Sequence, residues 1–404
     1  MVIIVRASLR KAEMLTRLEI SGFRSIDKLE LDMLPLTVLI GPNGSGKSNL
    51  LDVFDLLSAA ASGSMSEAIA ARGGFDVIRF RGAVQDKVHL SFEFDSRGTF
   101  HQEGCNVQYK LDLRAKENVA CVGFEQVLVG PKPGHVEQMV VAQAKLGDGL
   151  FRNVLSGAKE EPKGLESPSE LAIFQVRDQT AHPTPYNLAR ELSAWRVYPP
   201  VSTGRDAPVR RAQLLRAGLR VARDGGNLAS VLHAIQNQQP AVWEDLLDVL
   251  KTVSPGFHHL SFSSEGGDGT IVLRWWEDPF SKDYGFSANL LSDGTLRLLM
   301  ILAILLSPDP PPLICIDEPE LGLHPDWVKV IGELLQSAAK RTQLIVATHS
   351  PELVSKVQPS QVVVVEKENG RTIANRLSDD DFTHWLDQFR LGDLWRTGHV
   401  GGRA

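Results

Sequence analysis

The stretch "TVLIGPNGSGKSNLLDVF", Thr37 to Phe54, passes from apolar to glycine-rich to helical residues within eighteen positions. Its middle fits the pattern G-x-x-x-x-G-K-[ST] without a gap, and the matching residues are Gly41, Pro42, Asn43, Gly44, Ser45, Gly46, Lys47 and Ser48. Glycines allow backbone N–H groups to curl around an anion without Cβ clashes. The following helix points its unpaired N–H groups and positive dipole end at the same place. The stretch therefore predicts a strand, a phosphate-binding loop and a helix.

Two polar side chains at the start of this helix fit a nucleotide. We expect Lys47 to bridge the β- and γ-phosphates of ATP and the Ser48 hydroxyl to hold Mg²⁺. A chance glycine turn is the alternative interpretation. The apolar strand before the loop, and the apolar helix face after it, favour the phosphate site.

Composition limits the class of protein. The chain has 404 residues, of which 43% are hydrophobic, and a net charge of −6 that provides no overall basic field for nucleic acid. Three cysteines exclude a disulfide framework and indicate a reducing compartment. The longest apolar run, Leu298–Leu306, is far shorter than the roughly 20 residues of a membrane span. We therefore expect a cytoplasmic protein with no membrane partner, for which Met14 is an alternative start to Met1.

Two apolar strands of the final third end in polar residues that fit nucleotide chemistry. "LICIDEPE" places Asp317 and Glu318 at the carboxyl end of a strand, where open α/β sheets bind ligands. We expect Asp317 to take the magnesium and Glu318 to activate water, with an acidic helix start before Pro319 as the alternative. "QLIVATHS" ends a second apolar strand with Thr348, His349 and Ser350. This histidine either contacts the γ-phosphate or is a capping or core residue.

A second anion site is predicted at "LLSDGTLRLL". Ser292 and the amide of Gly294 stand at the N-terminus of an apolar helix, where the dipole favours negative charge. An ordinary N-cap is the alternative.

The order of elements predicts an α/β protein. Apolar strands that alternate with helices in the final third indicate a parallel core sheet flanked by helices. Alternating strands after the first helix indicate an antiparallel β subdomain. We expect an N-terminal lobe at 14–150, a helical and β insertion at 151–285, and a C-terminal lobe at 286–404.

With these motifs, the chain resembles P-loop NTPases of the ATP-binding-cassette (ABC) type, in the SMC/Rad50/RecF-like branch that includes predicted bacterial AAA-family ATPases of the RecF/OLD type. The resemblance rests on "GPNGSGKSN", "LSDGT", "IDEPELGLHP" and "ATHS", and covers roughly 14–110 and 286–360. It implies a homodimer, arranged head-to-tail, that holds two ATP molecules. Each phosphate loop, extended to Asn49, then faces Ser292 and Gly294 of the other copy. It also implies that Glu318 is the catalytic base, that His349 senses the γ-phosphate, and that Glu320–Pro325 communicates across the interface.

The chain departs from the cassette pattern at two places. Asp293 stands where transporter cassettes usually have a glycine, which argues against a transporter subunit. The resemblance also implies a glutamine beside the magnesium site, for which Gln85, Gln175 and Gln213 are all candidates.

The segment between the motifs separates the functional hypotheses. It has no sustained heptads, which excludes long coiled-coil arms, and the 55 residues after His349 are too few for an appended nuclease domain. Arg190–Arg223 has eight arginines and two acidic residues, a local +6 that fits DNA, an acidic partner or a solvated helix face. Contact of some of these arginines with the nucleotide is a further alternative. We expect an ATPase that acts on DNA in repair, maintenance or phage defence. The alternatives are a regulatory switch for a separately encoded effector such as a nuclease and, less favoured, a transporter motor.

Overall fold

The computed structural model describes residues 14–62, 64–82, 86–95, 105–116, 119–130, 139–145, 148–151, 163–164, 170–264, 269–279, 284–386 and 388–402. Residues 1–13, which separate the alternative starts Met1 and Met14, lie outside these ranges, and so does Gln85. In the described part of the chain the strands are β1 (Met14–Phe23), β2 (Ile26–Asp32), β3 (Leu36–Ile40), β4 (Val88–Asp95), β5 (Asn106–Lys116), β6 (Val119–Val129), β7 (Met139–Lys145), β8 (Asp148–Phe151), β9 (Lys163–Gly164), β10 (Arg196–Tyr198), β11 (Gln213–Leu214), β12 (Phe257–Ser263), β13 (Thr270–Glu277), β14 (Phe286–Ser287), β15 (Leu313–Asp317), β16 (Gln343–Ala347), β17 (Val362–Glu368) and β18 (Arg371–Arg376).

The same residues form eleven α-helices. They are α1 (Lys47–Ser62), α2 (Met65–Ala70), α3 (Phe75–Ile78), α4 (Pro183–Ala194), α5 (Leu228–Gln238), α6 (Pro240–Val253), α7 (Asp293–Leu305), α8 (Pro325–Ala338), α9 (Pro351–Val354), α10 (Asp379–Leu386) and α11 (Leu391–Arg396). The longest, α1, has 16 residues. A bilayer span needs roughly 20, so no helix of the described residues can cross a membrane.

The central sheet has the strand order β10-β15-β16-β3-β17-β18. All its neighbouring strands run parallel except the last pair, β17 and β18. Its strands are buried on both faces. Because successive side chains point to opposite sides of a sheet, neighbouring residues of a strand face different cores. Val38 and Val346 face one core, whereas Leu39 and Ile345 face the other. The predicted parallel core sheet is therefore confirmed.

The first core lies between the central sheet and an antiparallel sheet of order β2-β1-β4-β5-β6-β7-β8-β9. The buried face of α1 fills it, with Phe54 tilted against Trp195 at a centroid distance of 5.5 Å. Phe92 of β4 packs on the same indole at 5.8 Å. Aromatic pairs at these separations stabilise a core beyond the area they bury. They fix the middle of α1, at Phe54, against β4 of the antiparallel sheet.

The second core lies on the opposite face of the central sheet. Helices α5 to α8 and a small sheet, in which β13 pairs with β11, β12 and β14, enclose it. Helix α7 is buried continuously from Leu298 to Leu305, as its apolar sequence predicted. It ends at Leu305, just before the prolines that begin at Pro308.

Residues from all three predicted segments meet in the central sheet. Strand β3 comes from 14–150 and strands β15 to β18 from 286–404, while β10 lies inside the expected insertion at 151–285 and pairs with β15. The insertion range thus contains one edge strand of the core sheet. Three residues are too few for a periodic pattern to reveal such a strand. The segment boundaries themselves stay a prediction.

Candidate functional site

The loop between β3 and α1 requires glycine at two places. Gly41 has φ +146° and Gly46 has φ +114°, a region that favours glycine. A Cβ at Gly41 would lie 2.0 Å from the carbonyl oxygen of Val365, and one at Gly46 would lie 2.1 Å from Oγ1 of Thr372. The backbone is therefore pressed against β17 and β18, and its curl depends on the missing side chains.

Lys47 closes the loop from the inside. Its Nζ donates to the carbonyl oxygens of Gly41, at 2.8 Å, and Pro42, at 3.0 Å. The side chain is only 5% exposed. Burial lowers the pKa of Lys47, while the carboxylates of Asp317 and Glu318 oppose that shift. Lys47 is therefore a buried cation that two backbone carbonyl oxygens of the phosphate loop hold in place.

Ser48 and Asp317 form the most direct link between the two predicted motifs. The Ser48 hydroxyl donates to Oδ2 of Asp317 at 2.9 Å, across 269 positions of sequence. Burial raises the pKa of Asp317, and the Ser48 hydrogen bond opposes this. A hydroxyl and one carboxylate, completed by substrate phosphates and water, are a typical Mg²⁺ ligand set. The described residues contain no cluster of three metal-ligating side chains. A Mg²⁺ site completed by phosphates and water does not require such a cluster.

Glu318 follows β15 in an unusual backbone conformation. Its φ is +50°, and its N–H donates to the carbonyl oxygen of Ala347 at 2.8 Å. Non-glycine residues with positive φ store strain and cluster at functional sites. Nε2 of His349 lies 3.9 Å from Oε1 of Glu318. Burial, and after it the Lys47 ammonium, lower the pKa of His349, which favours a neutral imidazole.

Glu320 supports this histidine and was expected only as part of an interface loop. Its Oε1 accepts from the backbone N–H of His349 at 2.6 Å and from the Thr348 hydroxyl at 2.7 Å. Burial raises the pKa of Glu320. The third acidic residue of "DEPE" was the available sequence signal. Glu320 fixes the turn that presents the imidazole.

The predicted second anion site lies at the start of α7. Oγ of Ser292 accepts from the backbone N–H of Thr295 at 3.0 Å, so within one chain Ser292 is an N-cap. A Cβ at Gly294 would lie 2.8 Å from the carbonyl oxygen of Gly322, so the glycine allows close packing of the two loops. Among the described residues, no hydrogen bond or ion pair joins Ser292 or Gly294 to the phosphate loop.

A chain of hydrogen bonds that the sequence did not predict supports the phosphate loop. Nδ2 of Asn49 donates to Oγ of Ser25 at 2.6 Å, and Ser25 Oγ lies 2.7 Å from Oγ1 of Thr372. Thr372 in turn donates to the carbonyl oxygen of Ser45 at 2.8 Å. Since Thr372 has one proton, Ser25 is the donor to Thr372. The Asn49 side chain is thus directed to this support and joins the loop to the turn between β1 and β2.

The arginines of 190–223 are only in part available to an outside partner. Arg196 donates to backbone carbonyls, Arg220 pairs with Asp309 at 3.2 Å, and Arg223 pairs with Asp55 at 2.7 Å. Arg210 is bound to the segment that precedes α7. The four arginines that stay exposed and have no ion pair among the described residues are Arg190, Arg205, Arg211 and Arg216.

The expected glutamine does not line the site at either described candidate. Gln213 is buried, accepts from the N–H of Ala229 at 2.7 Å, and donates to Gly225. Gln175 ends a short 3₁₀ helix that packs against α4 and β7. Beside Ser48 and Asp317 opens a cleft of about 260 Å³, also lined by Arg24, Asn49, Asp52, Asp55, Pro199 and Arg223.

Comparison with known proteins identifies the family of this chain. The sequence profile described as "AAA domain, putative AbiEii toxin, Type IV TA system" matches residues 36–116 and 180–355. The chain belongs to this AAA-domain family. The matched ranges contain the phosphate loop, the start of α7, the carboxylate pair and His349. The resemblance to ABC-type ATPases of the SMC and RecF-like branch is thereby confirmed. The family implies the use of a nucleotide, typically with a divalent metal.

Two curated proteins are similar to this chain, one over most of its length and one over a short stretch. The uncharacterized protein YbjD of Escherichia coli is 24% identical over 405 residues, which cover 90% of this chain and 63% of YbjD. The OLD nuclease of Thermus scotoductus is 43% identical over 44 residues, 11% of this chain and 8% of the nuclease. The chain therefore spans less than two thirds of either relative.

A solved structure confirms the fold. An SMC head bound to the C-terminal winged-helix domain of ScpA superposes with a TM-score of 0.57 at 15% identity, covering 91% of this chain and 99% of the head. At that identity the likeness concerns the fold alone. The AAA-domain chain thus has the mixed-sheet P-loop architecture of an SMC head.

Proposed function

We propose that this chain binds Mg·ATP at Gly41–Ser48 and hydrolyses it to ADP and phosphate. The observation that carries the proposal is the 2.9 Å hydrogen bond from Ser48 to Asp317, which joins the phosphate loop to the end of β15. Mg²⁺ held by these two side chains would neutralise charge on the phosphates. The family implies nucleotide use, and the chemistry of the residues fits it.

The phosphate loop binds and orients the triphosphate. Lys47 exchanges its hydrogen bonds to Gly41 and Pro42 for phosphate oxygens, which as anions are stronger acceptors than carbonyls. The amides of the loop and the N-terminus of α1 supply the remaining donors.

Glu318 is the proposed general base. Its side chain is about one third exposed, so water can reach it. A positioned base of this kind contributes roughly 10²–10⁴ in rate. His349, which lies 3.9 Å from the carboxylate and is held by Glu320, donates to the terminal phosphate and orients it.

Two copies in a head-to-tail homodimer complete each site. Ser292 and Gly294 are exposed or half-exposed at a helix N-terminus, the part of a helix that attracts anions. Since no hydrogen bond or ion pair among the described residues joins either of them to the phosphate loop of its own chain, we assign both to the nucleotide of a second copy.

The decisive variant is Glu318→Gln. It keeps the shape of the base but cannot take a proton, so ATP stays bound and light scattering with Mg·ATP detects a dimer. The same variant with Lys47→Ala is the control, and it stays monomeric. A Glu318→Gln chain that binds ATP yet stays monomeric at saturating nucleotide contradicts the dimer, and one that binds no ATP contradicts the whole proposal.

For the biological role we propose action on DNA, in repair, maintenance or phage defence. The exposed arginines Arg205, Arg211 and Arg216 support it, because such residues can neutralise backbone phosphates. Their combined change to Glu is expected to abolish DNA-stimulated hydrolysis and leave basal hydrolysis unchanged. Arg210 is left intact, because its side chain holds the segment before α7.

The second candidate is an ATPase switch that controls a separate effector without binding DNA itself. The internal ion pairs of Arg220 and Arg223 favour it, since they leave fewer free cations. The match to a much longer OLD nuclease also favours it. Hydrolysis that does not respond to DNA, in the wild type and in the triple Glu variant alike, would support the switch.

A further inference from the structure

An ion-pair network extends from the phosphate site along α1. Asp52 and Asp55 follow Ser48 by four and seven positions and therefore share its helix face. Arg24 pairs with Asp52 at 2.6 Å, and Arg72 bridges Asp52 at 2.8 Å and Asp55 at 2.5 Å.

Arg223 is the last member of this network. Its Nη1 lies 2.7 Å from Oδ1 of Asp55, and both residues line the cleft beside Ser48 and Asp317. It enters from the segment between β11 and α5, whereas its ion-pair partner belongs to α1. A single guanidinium thus joins the segment before α5 to the phosphate-loop helix.

Arg223 is the network's most releasable cation. Its side chain is 51% exposed, against 9% for Arg72 and 29% for Arg24. If Arg223 turns away, Asp55 keeps Arg72 on its other oxygen, so no carboxylate is left buried and unpaired. Ion pairs with an exposed partner are also weak. Asp55 therefore holds Arg223 only loosely.

The backbone around Arg223 is fixed, so its side chain can move alone. Oγ of Ser307 donates to the carbonyl oxygen of Leu219 at 3.3 Å, which fastens the segment to the end of α7. On the other side of Arg223, a Cβ at Gly225 would lie 2.7 Å from Sδ of Met300, in the middle of the same helix. The segment that carries Arg223 is thus anchored to α7, the helix that begins beside Ser292.

We propose that Arg223 is a phosphate-binding residue, for which Asp55 and the terminal phosphate of ATP compete. This inference rests on the proposed nucleotide site. Phosphate carries more charge than a carboxylate and offers Arg bidentate geometry, so ATP draws Arg223 off Asp55. The arginine then acts beside the magnesium site, where the resemblance implies a glutamine, and neither Gln175 nor Gln213 lines this cleft.

Competition makes two variants respond in opposite directions. Arg223→Gln is expected to weaken ATP binding about tenfold, the effect of losing one charge-assisted hydrogen bond, and to leave ADP binding within about twofold. Asp55→Asn removes the competitor and is expected to strengthen ATP binding by up to about fivefold. Arg72 keeps Asp52 and the carbonyl oxygen of Ala68 in that variant, so its own position is retained.

The test is titration of fluorescent ATP and ADP analogues in the presence of Mg²⁺, on the full chain. Arg220→Gln is the matched control, since it removes an arginine from the same segment that pairs with Asp309; its affinities should equal the wild type. Equal losses for ATP and ADP in Arg223→Gln, or no loss for either, would overturn the inference. Lys47→Ala, which should bind neither nucleotide, separates this failure from failure of the nucleotide site itself.

Discussion

Nη2 of Arg210 lies 2.6 Å from Oδ1 of Asp293, the residue that follows the N-cap of α7. The same guanidinium donates to the carbonyl oxygens of Ala288, Asn289 and Leu291, the last at 2.7 Å. The hydrogen bond from Arg210, and with it the positive charge of that guanidinium, lowers the pKa of Asp293. An aspartate in place of the usual glycine of the motif therefore has a specific partner, which positions the start of the helix.

Arg210→Ala is expected to disorder the segment before α7. The side chain is 9% exposed, and its loss leaves several carbonyl oxygens without a donor, at a cost of about 1–3 kcal/mol in the free energy of unfolding. ATP hydrolysis should fall while ATP affinity of the single chain stays near the wild type. Denaturant unfolding and nucleotide titration measure the two effects. Arg211→Ala, an exposed neighbour, is the control, and equal destabilisation by both variants would contradict the assignment.

Local patterns were sufficient for the nucleotide motifs. The loop at Gly41–Ser48, the strand before Asp317 and the apolar helix after Ser292 each carry their own backbone requirement in consecutive residues. Such requirements are set by glycine conformation, strand burial and helix capping, which act within a few positions. The sequence therefore predicted the parallel sheet and the meeting of Ser48 with Asp317.

Contacts between distant segments could not be predicted in this way. Thr372 reaches Ser45 across 327 positions, and Arg210 reaches Asp293 across 83. Neither threonine nor arginine belongs to a motif, and their partners depend on the path of the whole chain. For the same reason the sequence does not distinguish the four arginines of 190–223 that have partners within the chain from the four that stay exposed.

Gly44 and Gly46 of the phosphate loop should differ in their sensitivity to substitution. Gly46→Ala places a Cβ 2.1 Å from Thr372 Oγ1 at φ +114°, and the loop must shift. Strain of about 1–3 kcal/mol and the lost curl should abolish ATP binding. Gly44→Ala, at φ +76° with no atom within 4 Å, should cost only about 1 kcal/mol of backbone strain. Nucleotide titration and thermal unfolding of both variants test this order. A larger loss of ATP affinity or stability in Gly44→Ala than in Gly46→Ala would contradict it.

Glu125 gives the antiparallel sheet a pH dependence. Burial raises its pKa to about 7, although Ala172, Ile173 and Tyr109 all donate to it. The folded chain therefore binds more protons than the unfolded chain between pH 4.5 and about 7, so stability falls as pH rises through that range. Denaturant unfolding should reveal about 2–3 kcal/mol less stability at pH 8 than at pH 5 from this group. Glu125→Gln should lack that difference, and an unchanged slope would assign it elsewhere.

Asp317→Asn should uncouple nucleotide binding from magnesium. The Ser48 hydroxyl can still donate to the amide oxygen, so the 2.9 Å contact and the loop persist, but the negative charge that attracts the cation is lost. ATP affinity in Mg²⁺ divided by ATP affinity in EDTA should be well above one in the wild type and close to one in the variant. Glu318→Gln, which removes the neighbouring charge without touching Ser48, should give a ratio no lower than that of the wild type. If both variants lowered it equally, general electrostatics would explain the effect, and Asp317 would lose its place as the magnesium ligand.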